Sequence, residues 1–149
     1  MILQYSKTTT SAKDPVRANA SDAGLDVFFA GDSTVIRPGH NAVLSTGLKF
    51  GLPHGYMLQV MNRSSMAAKK DLVVGAHCVD PGYEGELFID LHNIGLADRI
   101  IEPGDKIAQV VLVPVVHFRA VETKEEKLYG DCPLAISDRG AGALGSTGQ

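Results

Sequence analysis

Short runs rich in Val, Ile, Leu and Phe recur along the chain at 43–50, 56–61, 72–79, 86–92 and 106–116. Turn sequences separate them: "RPGH" at 37–40, "GLPHG" at 51–55, "DPGYEG" at 80–85 and "EPGD" at 102–105. Runs of this length and spacing, with no long helical period, predict an all-β sandwich or barrel. In "ELFIDLH", Leu87, Ile89 and Leu91 share one face while Glu86, Phe88, Asp90 and His92 share the other, the alternation of a strand with one buried side. "KIAQVVLVPVV" is apolar on both faces, which predicts an inner strand or one that covers a subunit contact. One helix is predicted, over "SSMAAKK" at 64–70: a serine begins it and lysines close it, matching capping and dipole preferences. Residues 117–138 are charged and irregular and read as a connector to the glycine-rich stretch "RGAGALGSTGQ", 139–149.

At 149 residues the chain is expected to form one domain. A formal net charge of −3 argues against a nucleic-acid-binding surface but leaves room for a small anion held locally. No apolar run is long enough to span a bilayer, and "MILQYSKTTT" lacks the plan of a secretory leader, so a cytoplasmic protein without membrane partners is expected. Cys78 and Cys132 lack the spacing of a zinc site, and Cys78, set in an apolar run, reads as a buried small hydrophobe. No Ser or Cys hydrolase signature occurs.

Five stretches carry residues suited to chemistry. "SDAGLDVFFA", 21–30, places aspartates around a glycine ahead of an apolar strand. "NRSSMA", 62–67, sets hydroxyls and free N–H groups at a helix start beside Arg63, a combination suited to anionic oxygens. "VDPGYEGEL", 79–87, predicts a hairpin from which Asp80 and Tyr83 project, and a carboxylate held rigidly there can orient a water. In "GDKIAQVVL", 104–112, Gln109 interrupts an apolar strand and needs hydrogen-bond partners, while Asp105 and Lys106 read as turn residues. The segment 139–149 offers backbone donors, two hydroxyls and one guanidinium with little to pack, the makeup of either a mobile end or a phosphate clamp.

The five stretches, in this order, resemble the motifs of the trimeric dUTPases. The resemblance runs from about residue 20 to 148. It implies a single-domain β jelly roll, residues 1–138, with one short helix and a flexible C-terminal arm, 139–149, that closes a neighbour's active site in a homotrimer. It also implies hydrolysis of dUTP to dUMP and pyrophosphate, which lowers dUTP and supplies dUMP for thymidylate synthesis. By the same resemblance Asp80 positions the attacking water, and Gln109 reaches the α-phosphate region. Tyr83 packs on the deoxyribose where a 2′-hydroxyl would clash. His77, Cys78 and Val79, with Phe88 opposite, edge the uracil pocket. Arg63, Ser64 and Ser65 contact the phosphate chain, and Asp26 holds a water on Mg²⁺. Arg139, Ser146 and Thr147 clamp the γ-phosphate, with Leu144 and Gly145 over the base.

The sequence departs from the family pattern at Leu144, which stands where a stacking phenylalanine is usual. Ala143, His77 and Ser65 each replace a glycine. "RSS" and "AHCVDPGYEG" are also similar to dCTP deaminases, which share the fold, and Asp90 aligns with their catalytic glutamate. A nucleotide-sensing protein with little turnover is the remaining alternative.

Overall fold

The computed structural model describes residues 1–128. The chain divides into two units, Met1–His117 and Phe118–Gln149. The first is built of strands β1 (Gln4–Lys7), β2 (Leu25–Phe28), β3 (Thr34–Ile36), β4 (Asn41–Ser45), β5 (Leu48–Gly51) and β6 (Tyr56–Met61). Helix α1 (Ser64–Lys70) follows, then β7 (Leu72–Val74), β8 (Cys78–Val79), β9 (Phe88–Asn93), β10 (Arg99–Ile101) and β11 (Lys106–Pro114). In the second unit, the described residues hold a single 3₁₀ turn, Glu125–Lys127.

Two larger sheets organise the first unit. One runs in the order β2-β11-β6-β8 and the other β4-β9-β7, with the ribbons β1-β5 and β10-β3 beside them. Every recorded strand pairing is antiparallel. Among the described residues the strands form open sheets, so of the two all-β forms expected it is the layered one, not a closed barrel, that the fold takes.

The predicted periodicity is realised on β9. Leu87 just before it and Ile89 and Leu91 within it are buried, while Phe88 is exposed and Asp90 and His92 are half-buried on the opposite face. Each such Leu or Ile contributes roughly 1.5–3 kcal/mol when taken out of water. β11 is an inner strand, flanked by β2 and β6, as its two-sided apolar pattern requires. Its Ile107, Ala108 and Val110 are buried, and a register shift between Lys106 and Ala108 marks a bulge where it leaves the turn.

Three of the four turn sequences are tight turns of one kind. The fourth residue's N–H bonds back to the first residue's carbonyl in Arg37–His40, Asp80–Tyr83 and Glu102–Asp105. In each, glycine supplies the positive φ that a type II turn needs at its third position after proline: 74° at Gly39, 88° at Gly82 and 87° at Gly104.

Two predicted runs are each split in two. The run 43–50 breaks at Gly47 (φ 65°), so β4 joins β9 while β5 joins β1 in a different sheet. The run 72–79 breaks at Gly75: β7 pairs with β9, and β8 pairs with β6. This also corrects the expected hairpin. β8 and β9 are not partners, and the Asp80–Glu86 segment crosses from one sheet to the other. β1, β3 and β10 have no counterpart among the predicted runs. All four β1 residues are exposed, and β3 and β10 are three residues each, too short to show a period.

Helix α1 falls on the predicted residues, with Lys69 and Lys70 in its last turn. Its N-cap is Arg63, not serine, and no side chain caps it. Ser64 begins the helix proper, which leaves its hydroxyl unused for capping.

Candidate functional site

The crossing segment carries the first half of the site. Cys78, Val79, Asp80, Tyr83, Glu86, Leu87 and Phe88 line one cleft of about 230 Å³. The type II turn brings Asp80 and Tyr83 to one side, since the Tyr83 N–H closes on the Asp80 carbonyl at 3.2 Å. Phe88 enters from the start of β9, where the outward face of that strand meets the cleft. The Asp80 carboxylate accepts the Cys78 thiol at 3.4 Å, and among the described residues no cation pairs with it. An exposed carboxylate so placed keeps lone pairs free for a water.

Cys78 is exposed in this cleft, contrary to its reading as a buried hydrophobe. The apolar run misled because β8 is an edge strand only two residues long. Although exposed, the thiol is pushed up from its ordinary value by partial desolvation against the cleft, with the hydrogen bond to Asp80 and that group's charge adding to the effect. It is therefore a neutral thiol at pH 7. His77 is exposed and does not line the cleft, its ring being held at β6 instead. Nδ1 lies 2.8 Å from the Val60 carbonyl, and the Val60 N–H bonds to the His77 carbonyl at 2.8 Å, so the residue extends the β6–β8 pairing.

Glu86 is a site-lining residue with no role assigned from sequence. Its carboxylate accepts from the Thr8 hydroxyl at 3.0 Å, the Gly47 N–H at 2.9 Å and the Ser45 hydroxyl. Burial alone would raise its pKa, but the bonds from Ser45, Gly47, Thr8 and Thr46 together bring it below the usual glutamate value. Asp90 is likewise lowered, first by the Asn41 amide, which outweighs burial, and then by His92.

A lowered folded-state pKa means that the unfolded chain binds more protons in the acid range. The stability these groups contribute is then present above the unfolded values, 4.5 for Glu86 and 3.8 for Asp90. It is lost as pH falls through the lower folded values. Melting temperature measured against pH should hold level down to about pH 5 and fall below it. Glu86→Gln should flatten that fall, and an unchanged acid limb in the variant would rule out Glu86 as a contributor.

The second half of the site lies on β2, the β6–α1 corner and the start of β11. Phe28, Arg63, Ser65, Met66, Lys69, Lys70, Gly104, Asp105 and Lys106 line a cleft of about 410 Å³. The ammonium groups of Lys13 and Lys106 stand 5.4 Å and 5.8 Å from the Phe28 ring centre. A protein of net negative charge thus concentrates its cations here, as a small anion requires.

Asp26 sits beside this cleft with a side chain 13% exposed, between two cations. Arg63 Nε donates to Oδ1 at 2.8 Å and Lys106 Nζ lies 2.9 Å from Oδ2. Lys106, read from sequence as a turn residue, is therefore part of the charged cluster, and only the pairing of β2 with β11 reveals it. Gln109, opposite Asp26 on one side and Met61 on the other, donates from Nε2 to the Asn62 carbonyl at 2.9 Å. Gln109 is half-buried, and the partner that a glutamine in an apolar strand requires is the backbone immediately before Arg63.

As for a divalent ion, no cluster of three or more His, Cys, Asp or Glu side chains occurs among the described residues. Two carboxylates stand at the cationic cleft: Asp105, whose Oδ2 accepts the Glu102 N–H within its own turn, and Asp26, each of whose oxygens retains acceptor capacity for a water. One carboxylate acting through water, with substrate phosphates as the other ligands, suits Mg²⁺, which keeps its hydration shell. The residues fit that group.

No residue lines both clefts. Asp80, Tyr83, Phe88, Cys78 and Val79 are brought together in one, and Arg63 and Ser65 in the other. Asp90 lies outside both, held by Asn41 Nδ2 at 2.7 Å and His92 Nε2 at 3.0 Å. Cys132, Arg139, Ala143, Leu144, Gly145, Ser146 and Thr147 lie outside the described residues.

A layered β domain with a carboxylate and an aromatic on one rigid turn, and a separate basic cleft, defines a protein built for a small phosphorylated ligand. The dUTPase family model matches residues 10–148. The deoxyuridine 5'-triphosphate nucleotidohydrolase of Hydrogenobaculum sp. is 38% identical over 100% of this chain and 99% of its own length. That of Chlamydia trachomatis is 36% identical over 97% of each. Among solved structures, the Staphylococcus bacteriophage 80alpha dUTPase with dUpNHpp has a TM-score of 0.82 at 28% identity, covering 99% of both chains. The phage phi11 dUTPase of S. aureus, which coordinates a structural Mg(II) ion, has a TM-score of 0.78 at 27% identity, covering 85% of this chain and 99% of its own. The chain belongs to the dUTPase family.

Proposed function

We propose that the protein hydrolyses dUTP to dUMP and pyrophosphate with Mg²⁺, acting as a cytoplasmic homotrimer. The observation that carries the mechanism is the carboxylate of Asp80, unpaired by any described cation, in a cleft it shares with Tyr83 and Phe88. Asp80 holds the attacking water by accepting its hydrogen bond and takes up its proton as attack on the α-phosphorus proceeds. Val79 and the backbone from His77 to Asp80 edge the base, with Phe88 across from them. Tyr83 packs on the deoxyribose.

Arg63, Ser64 and Ser65 neutralise and orient the phosphate chain. Gln109 sets the corner that presents them, and on this reading its own amide turns to the α-phosphate region. Mg²⁺, when bound, neutralises charge developing on the phosphates, and Asp26 holds it through a water. Arg139, Ser146 and Thr147 clamp the γ-phosphate, while Leu144 and Gly145 cover the base, so that residues 139–149 act as an arm on the domain 1–138.

The separation of the two clefts supports the trimeric reading. A space of about 230 Å³ is below the roughly 300–1,000 Å³ of a complete small-molecule pocket. One protomer's turn cleft set against a neighbour's basic cleft would make a complete nucleotide site. The half-buried Val111 and Val113, on the face of β11 opposite the core-packed Val110 and Leu112, suit such a contact.

Assays on dUTP, dCTP, dTTP and UTP with Mg²⁺, scored for pyrophosphate and ammonia, test the function. Pyrophosphate from dUTP without ammonia is expected. Ammonia from dCTP would replace this reading with that of a deaminase, and ligand binding without any product would replace it with that of a sensor.

A further inference from the structure

Residue 86 occupies a place that no motif role accounts for. Its carboxylate is tied to three donors on two separate segments: Thr8, just after β1, and Ser45 and Gly47 in the corner between β4 and β5. The next residue is fastened to the same corner. The Leu87 N–H donates to the Leu48 carbonyl at 2.7 Å, and the Thr46 hydroxyl donates to the Leu87 carbonyl at 2.6 Å. Residues 86 and 87 are thus the fixed end of the segment that crosses between sheets, while Tyr83 rides on its free part.

The Tyr83 ring folds back onto this fixed end. Its hydroxyl donates to the Glu86 carbonyl oxygen at 2.9 Å. The ring lies against Gly85 so closely that a Cβ there would stand 2.2 Å from the tyrosine oxygen. Apart from the cleft, the ring is open to solvent, 48% exposed, so the hydroxyl bond and the glycine contact are what set its direction.

We infer that Glu86 is a positioning residue for sugar selection: by anchoring the backbone that receives the Tyr83 hydroxyl, it sets the ring where a ribonucleotide's 2′-hydroxyl is refused. The inference rests on the reading of Tyr83 as the residue facing the deoxyribose. Steric refusal of one hydroxyl depends on ring placement to a fraction of an ångström, so loss of the anchor should relax selectivity before it abolishes turnover. The carboxylate's charge is not what the anchor needs. In Glu86→Gln the amide oxygen can serve Ser45 and Gly47, and the amide NH₂ can donate to the Thr8 hydroxyl, which then accepts.

The test is kcat/KM for dUTP and for UTP in the wild type, Glu86→Ala, Glu86→Gln and Tyr83→Ala. Glu86→Ala should lower the dUTP-to-UTP ratio about tenfold, and Glu86→Gln should keep it within about twofold. A purely structural role would depress both substrates together and leave the ratio unchanged, which overturns the inference. If Tyr83→Ala collapses the ratio and Glu86→Ala does not, Glu86 alone loses its role. If Tyr83→Ala leaves the ratio intact, the sugar-facing reading fails and the inference goes with it. Should Glu86→Ala not fold, the pair Thr8→Ala and Ser45→Ala removes two of the three donors. A smaller fall in the ratio is then expected, and no fall overturns the inference.

Discussion

Asp80→Asn is expected to lower kcat by about a thousandfold while leaving affinity for the non-hydrolysable dUpNHpp within about threefold. The substitution keeps size and shape, so the turn Asp80–Tyr83 and the cleft should survive. Asparagine retains one acceptor oxygen but cannot take the proton from the water. The Cys78 thiol can still donate to that oxygen, which holds the side chain in its place. Single-turnover kinetics paired with equilibrium binding separate the two effects. Near-normal turnover in the variant would remove Asp80 from the chemistry. Loss of binding in step with turnover would make it a ligand-holding residue instead.

The second large effect is expected from removing residues 139–149. Their apolar content is two alanines and one leucine, and four of the eleven residues are glycine. A segment with so little side chain adds almost nothing to a hydrophobic core, so the melting temperature should move by no more than about 2 °C. Catalysis should fall by at least about a hundredfold, because a phosphate clamp contributes most when donors act together around the triphosphate. Melting curves and kcat/KM on the same preparation decide it. A collapse of stability would make the segment structural, and full activity without it would end its role as a clamp.

How much of the fold was legible varies by element, for a physical reason. β9 and β11 were readable because each runs for at least six residues along a core, enough for alternation or for two-sided apolarity to show. Helix α1 was readable from its content, though not its cap, since capping depends on backbone angles at Arg63 and not on the presence of serine. Short β1 is a strand because β5 offers it an edge, and β3 and β10 are strands because they pair with each other, and that is information held elsewhere in the chain. The same holds for the crossing segment. Asp-Pro-Gly-Tyr specifies its own type II turn, but which strands flank it is decided by register with β6 and with β4 and β7.

The site divides along the same line. Asp80, Tyr83, Phe88 and Arg63 stand out in the sequence through local turn chemistry and motif order. Lys106 and Glu86 do not, because their significance lies in partners 80 and 78 positions away, Asp26 and Thr8. By itself the sequence determined the all-β class, the turns, the one helix and the family, all of which depend on near neighbours or on order along the chain. Only the tertiary structure decided that the Asp80–Tyr83 turn lies on a segment that bridges two sheets, that Asp26 lies between Arg63 and Lys106, and that the described residues form two separate clefts. Those facts arise from strand pairing across long loops, where the energy of burial and hydrogen bonding selects among partners that local pattern leaves equivalent.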